Sequence, residues 1–160
     1  MNGTTDEQDQ DFLVDAVLTT SRVLVAIAAR SLADAGEAVT LTQYRALVVL
    51  ASRGPQSLAT LAEALAVTPP TASRMCERLV RKRLVSRRLE RSDRRQVRIA
   101  LSAAGRHLID AVTASRRKEI ATLLDSIPPE ERPALVAALR RLAASAGEVP
   151  EQDWSSGWDL

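Results

Sequence analysis

A chain of 160 residues with only four aromatic ones, Phe12, Tyr44, Trp154 and Trp158, fits one domain whose core must come from Leu, Val, Ile and Ala. With one cysteine and one histidine it can form no intramolecular disulfide and cannot assemble a protein zinc site, so no metal or cofactor is expected. Its net charge of +2 conceals an asymmetry: Thr71 to Arg98 holds 11 basic and 3 acidic residues, a local +8, which leaves −6 for the rest. A cationic patch on an otherwise acidic chain is the electrostatic footprint of a nucleic-acid-binding surface.

In chain order, residues 1–9 are polar and acidic and read as a disordered N-terminus. That acidity is the opposite of the basic start of a secretory signal. Phe12 to Ala35 follows a helical pattern, with Leu13, Val17, Leu24, Ile27, Ala28 and Leu32 on one stripe. Val14, Leu18, Val23 and Val25 widen the stripe until the helix needs cover on more than one side, which a second subunit would supply. Asp15, Arg22 and Arg30 interrupt the run, so it is read as unable to span a membrane, and a cytoplasmic protein is expected. Gly36 ends this helix.

Thr40-Leu41-Thr42-Gln43 has capping-box form and opens a second helix, which Gly54-Pro55 stops. Ser57 caps a short helix, Leu58–Leu65; after Ala66-Val67, Thr68 caps another, with Pro69 at its first position. Two short capped helices joined this closely are a helix-turn-helix signature. On the second, Ala72, Met75, Cys76 and Leu79 share an inward face, while Thr71, Arg74, Arg78 and Arg81 share the opposite one, flanked by Ser73 and Glu77. By itself an arginine row is a solvated basic face. On the second helix of a helix-turn-helix, with small hydroxylated residues at its start, it reads as a recognition helix in the major groove.

Val85–Leu89 and Gln96–Leu101 then read as a hairpin with a polar tip, residues 90–95, so the domain is a winged helix. Arg94 and Arg95 at the tip suit a narrow minor groove, and Asp93 is assigned to steadying a wing arginine such as Arg87 or Arg95. Ser102 caps a long helix carrying Leu108, Ile109, Val112, Ile120, Leu123, Leu124 and Ile127. The run 128–131 starts a last helix, with Leu135, Ala138, Leu139 and Leu142 on its inner face. The tail from Gly147 holds both tryptophans. They read either as a loose extension or as a cover over a ligand pocket or a clasp on the dimer.

The segments LAEALAVTPPTASRMCERLVRKRLVSR and SDRRQVRIALSAAG together resemble the MarR family of bacterial transcriptional regulators. The first looks like that family's helix-turn-helix and first wing strand. The second is similar to its wing motif, here Asp93, Arg95, Leu101, Ser102 and Gly105. One departure is Arg83, where the family often has glycine: it leaves a tight left-handed turn there unsupported and adds a positive charge. The resemblance covers residues 10–146 and implies a homodimer on a palindromic operator, with repression relieved by a small ligand or by oxidation.

The expected architecture is mainly α with a small β-hairpin wing: a winged helix-turn-helix, residues 40–101, flanked by a helical dimerisation region, 10–36 and 102–146, and a tail, 147–160. The expected function is a sequence-specific, DNA-binding repressor, with double-stranded DNA, a second copy of itself and an unidentified small-molecule effector as partners, and no membrane. Thr71, Ser73 and Arg74 are expected to read bases; Arg78 serves base and phosphate; Ser57 and Arg81 anchor phosphate. Thr68, Pro70 and Arg87, with Arg94 and Arg95 of the wing, complete the DNA-contacting set. Cys76 faces inward as a small hydrophobe, with a redox switch as the alternative role. Further alternatives are a winged-helix module for an acidic protein partner and non-specific, architectural DNA binding. His107 and Asp110 have no glycine elbow or phosphate loop beside them, so an enzyme is not expected.

Overall fold

The structure, a computed structural model, describes residues 3–36, 39–89 and 97–154, with side chains from residue 7 on. The wing tip with Asp93, Arg94 and Arg95, and Trp158 in the tail, lie outside the described residues.

Helix α1, Gly3–Asp34, begins well before Phe12, so residues 3–9 are helical where the sequence suggested disorder. Acidic residues that make a segment look solvated also suit the positive end of a helix dipole. Among the described side chains of α1 only Ile27, Ser31 and Leu32 are buried, and Arg30 ties the helix to α5 (Ala103–Leu124) through Glu119 at 2.6 Å. Upstream, Phe12, Leu13, Val14, Val17 and Leu18 are exposed. By length and composition alone α1 is apolar enough to cross a membrane, because Asp15, Arg22 and Arg30 are widely spaced, and a helix covered by protein has the same composition.

Helix α2, Leu41–Arg53, starts with the full reciprocal capping box: Gln43 N donates to Thr40 Oγ1 at 3.2 Å and Thr40 N donates to Gln43 Oε1 at 3.0 Å. Ser57 caps α3, Leu58–Ala64, by accepting from Thr60 N at 3.1 Å. Helix α4, Pro69–Arg81, is the recognition helix of the sequence reading. Strand β1, Gln56–Ser57, escapes a sequence reading because two residues carry no periodicity. It joins β2, Val85–Leu89, and β3, Val97–Leu101, in an antiparallel sheet of order β1-β3-β2, with Gln56 opposite Ile99 and Val85 opposite Leu101. Leu47, Leu50, Leu61, Leu79, Ile99, Ile109 and Val112 form one core under this domain.

Helix α6, Arg132–Ser145, starts later than the Pro128-Pro129 signal, with Pro133 rather than the earlier prolines inside its first turn. None of its residues is buried; Val136, Leu139 and Leu142 are exposed, as are Leu123 and Leu124 at the end of α5. A short 3-10 turn, Glu151–Asp153, closes the described tail, and Trp154 packs on the core of its own chain.

Candidate nucleic-acid interface

Helix α4 presents the two faces its spacing predicts. Ala72, Met75, Cys76 and Leu79 are buried, while Thr71, Arg74, Arg78 and Arg81 are exposed along the other side. Thr68 caps the helix, its Oγ1 accepting from Thr71 N at 3.4 Å and lying 2.9 Å from Thr71 Oγ1. Pro70 is exposed beside it, so a short, hydroxyl-rich start projects ahead of the arginines. Ser73 is half-buried and donates to Glu77 Oε1 at 3.4 Å, so it is less open than its neighbours.

A groove of about 230 Å³ runs between α4 and the start of α2, lined by Thr40, Thr42 and Gln43 on one side and Thr71, Arg74 and Arg78 on the other. The positive end of the α2 dipole adds to two guanidinium charges there, a setting that favours anions. Sequence reading used Thr40 and Thr42 only as a helix start and missed them as a wall of this groove, since only the tertiary fold sets α2 against α4. Ser57 is half-buried at the start of α3, with its Oγ 2.8 Å from Thr60 Oγ1. Arg81 is exposed in the last turn of α4, and Arg87 is exposed on β2 opposite Ile99.

The end of α4 fixes the aim of this face. Arg83 has φ 60°, so the left-handed turn forms despite the missing glycine. Arg83 N donates to Val80 O at 2.9 Å and Leu84 N to Leu79 O at 3.0 Å, the paired bonds of a Schellman end. Tertiary bonds hold the turn in place: Ser102 Oγ donates to Arg83 O at 2.6 Å and accepts from Gly105 N at 3.0 Å, and Ser102 N donates to Leu84 O at 3.1 Å. One serine thus caps α5 and pins the recognition helix to it.

Cys76 is 1% exposed in the core. Burial pushes its thiol above the ordinary value, opposed by the Arg87 cation and reinforced by Glu77. The neutral thiol is therefore the favoured form, and it packs as a small hydrophobe.

A family model described as the MarR family matches residues 39–97, the segment from the residue before the α2 cap to the first residue of β3. The HTH-type transcriptional repressor NicR of Pseudomonas putida is 33% identical over 107 residues, 67% of this chain and 68% of that protein. The crystal structure of RV1404 from Mycobacterium tuberculosis is 43% identical with a TM-score of 0.81, covering 88% of this chain and 95% of that one. A mutant of S. aureus MepR, solved bound to an oligodeoxyribonucleotide, shares the fold at 24% identity and a TM-score of 0.60, over 84% of this chain and 97% of its own. With the winged helix-turn-helix described above and relatives of this similarity, the chain belongs to the MarR family of transcriptional regulators.

Proposed function

We propose that the chain is a cytoplasmic, sequence-specific repressor that acts as a homodimer on a palindromic operator and releases it on binding a small effector. The observation that carries this reading is the exposed Thr71–Arg74–Arg78–Arg81 face of α4 over a buried face of Ala72, Met75, Cys76 and Leu79. Thr71, Ser73 and Arg74 read base edges; Arg78 divides between base and phosphate; Ser57 and Arg81 hold phosphate, with Thr68 and Pro70 at the mouth of the groove. Arg87, Arg94 and Arg95 belong to the wing, where Asp93 orients an arginine.

Two copies are favoured by the apolar side chains that α1, α5 and α6 leave exposed, Phe12, Leu13, Leu123, Leu139 and Leu142 among them. A two-fold axis through these helices would set the recognition helices one DNA turn apart, ~34 Å. Repression is favoured by the name of NicR, a repressor. An effector would act by binding better to a dimer whose reading heads are wrongly spaced.

The test is selection of bound fragments from genomic DNA, followed by competition against random DNA. A palindrome bound at least about a thousandfold more tightly than random sequence supports the reading. Uniform affinity for all fragments would leave only architectural binding.

A further inference from the structure

One carboxylate stands in the middle of the arginine face of α4. Arg74, Glu77 and Arg81 follow one another at i, i+3 and i+7, directly opposite the buried row of Ala72, Met75, Cys76 and Leu79. Thr71 and Arg78 lie on one flank, toward the groove against α2, and Ser73 lies on the other. The outermost line of the helix, which any surface it meets touches first, is thus shared by two exposed guanidiniums and the exposed Glu77.

Glu77 is not spent inside the protein. Arg81 stands four residues on, the spacing at which glutamate and arginine pair along a helix, yet Glu77 forms no ion pair among the described residues. Its hydrogen-bond partner there is Ser73, one turn earlier, whose hydroxyl donates to Oε1 at 3.4 Å. Oε2 accepts from none of the described residues.

A carboxylate left open at this point is costly to a helix that approaches DNA, since every phosphate repels it. It becomes favourable only against a donor, and the major groove presents two: the N4 amino group of cytosine and the N6 amino group of adenine. Adenine sets its N7 acceptor beside that amino group, and an acceptor-only carboxylate is repelled there. Cytosine carries no acceptor on its own major-groove edge.

We propose that Glu77 is a specificity-determining residue of α4. It accepts from N4 of a cytosine in each half-site and repels base pairs that present an acceptor in its place, while Ser73 steadies it. This rests on the regulator reading above and adds to it a residue that excludes sequences, where the arginines attract them. Arg74 and Arg81 offset the charge of Glu77 as the helix enters the groove. Three residues advance α4 by ~4.5 Å, little more than one base step of ~3.4 Å, so the cytosine falls within about two base pairs of the one that Arg74 reads.

The test selects binders from a randomised duplex library with the unaltered full chain, Glu77→Gln and Glu77→Ala, then measures affinity for the selected duplexes and their single-base variants at fixed salt. The unaltered chain should select cytosine at one position of each half-site and lose about tenfold or more in affinity when thymine, whose O4 is an acceptor, replaces it. Glu77→Ala should bind the cytosine and thymine duplexes alike. Glu77→Gln should turn the preference to adenine, because an amide accepts from N6 and donates to N7. A new preference cannot come from misfolding. Base preferences unchanged in both variants, with only a uniform gain on every sequence from the lost charge, would overturn the proposal and leave the regulator reading standing. No preferred sequence for the unaltered chain would overturn both.

Discussion

Gly105 lies against the backbone of Leu84, so close that a Cβ on Gly105 would be driven into the Leu84 carbonyl oxygen and within 2.7 Å of Leu101 Cδ1. The first turn of α5 thereby presses on the segment that ends the recognition helix. Gly105→Ala should destabilise the chain by about 1–3 kcal/mol, because the neighbour is backbone and cannot swing away. Urea denaturation checks this: the midpoint should fall with the slope unchanged.

Both helices of the helix-turn-helix end in the same way, with a left-handed residue that is not glycine. Ala66 (φ 51°) follows α3 and Arg83 (φ 60°) follows α4. A side chain costs about 1 kcal/mol in that region, so Ala66→Gly and Arg83→Gly should each be neutral to stabilising by up to about 1 kcal/mol. Arg83→Gly also removes a charge near the exposed arginine face of α4. If that arginine meets phosphate, the salt slope of DNA binding should drop by about one. Thermal unfolding and a salt titration separate the two effects.

The buried thiol makes stability fall at high pH. Burial raises the Cys76 value above the ordinary 9.0, so as pH climbs past that point the unfolded chain loses its thiol proton first and is favoured. Between the ordinary and the raised value this group should remove up to about 1.4 kcal/mol of stability per pH unit, and nothing below pH ~8. Cys76→Ala should abolish that slope. On the same ground, hydrogen peroxide should leave the DNA affinity of the folded protein unchanged, and a loss reversed by thiol would revive a redox role.

The exposed apolar side chains set an expectation for mass. Sedimentation at micromolar concentration should give a dimer, and Val17→Glu with Leu139→Glu should shift it toward monomer. Both residues are exposed in the single chain, Val17 at 41% and Leu139 at 53%, so the winged domain should keep its fold. Monomer mass for the unaltered chain would count against the two-fold reading.

What could be read from sequence is what short-range chemistry decides. The caps at Thr40, Ser57, Thr68 and Ser102 are hydroxyls reaching a backbone N–H three residues on, and all four form as spacing predicts. The two faces of α4 follow from helical period alone. What could not be read depends on partners far along the chain. Strand β1 exists because Gln56 meets Ile99, and the tail is fixed because Arg45 meets Glu148. The left-handed turn at Arg83 was hidden because its support comes from Ser102. The assigned roles of Arg94, Arg95 and Asp93 rest on sequence, since the wing tip lies outside the described residues.

The central claim is that the exposed face of α4 reads sequence, with Arg74 at a base edge and Arg81 on phosphate. The most direct measurement is the affinity of the unaltered chain, Arg74→Ala and Arg81→Ala for a selected operator and for single-base variants of it at fixed salt. Arg74→Ala should lose about 1–3 kcal/mol of discrimination at one position of each half-site. Arg81→Ala should weaken every sequence alike. Equal losses on all sequences for Arg74→Ala, with the operator preference intact, would contradict the account.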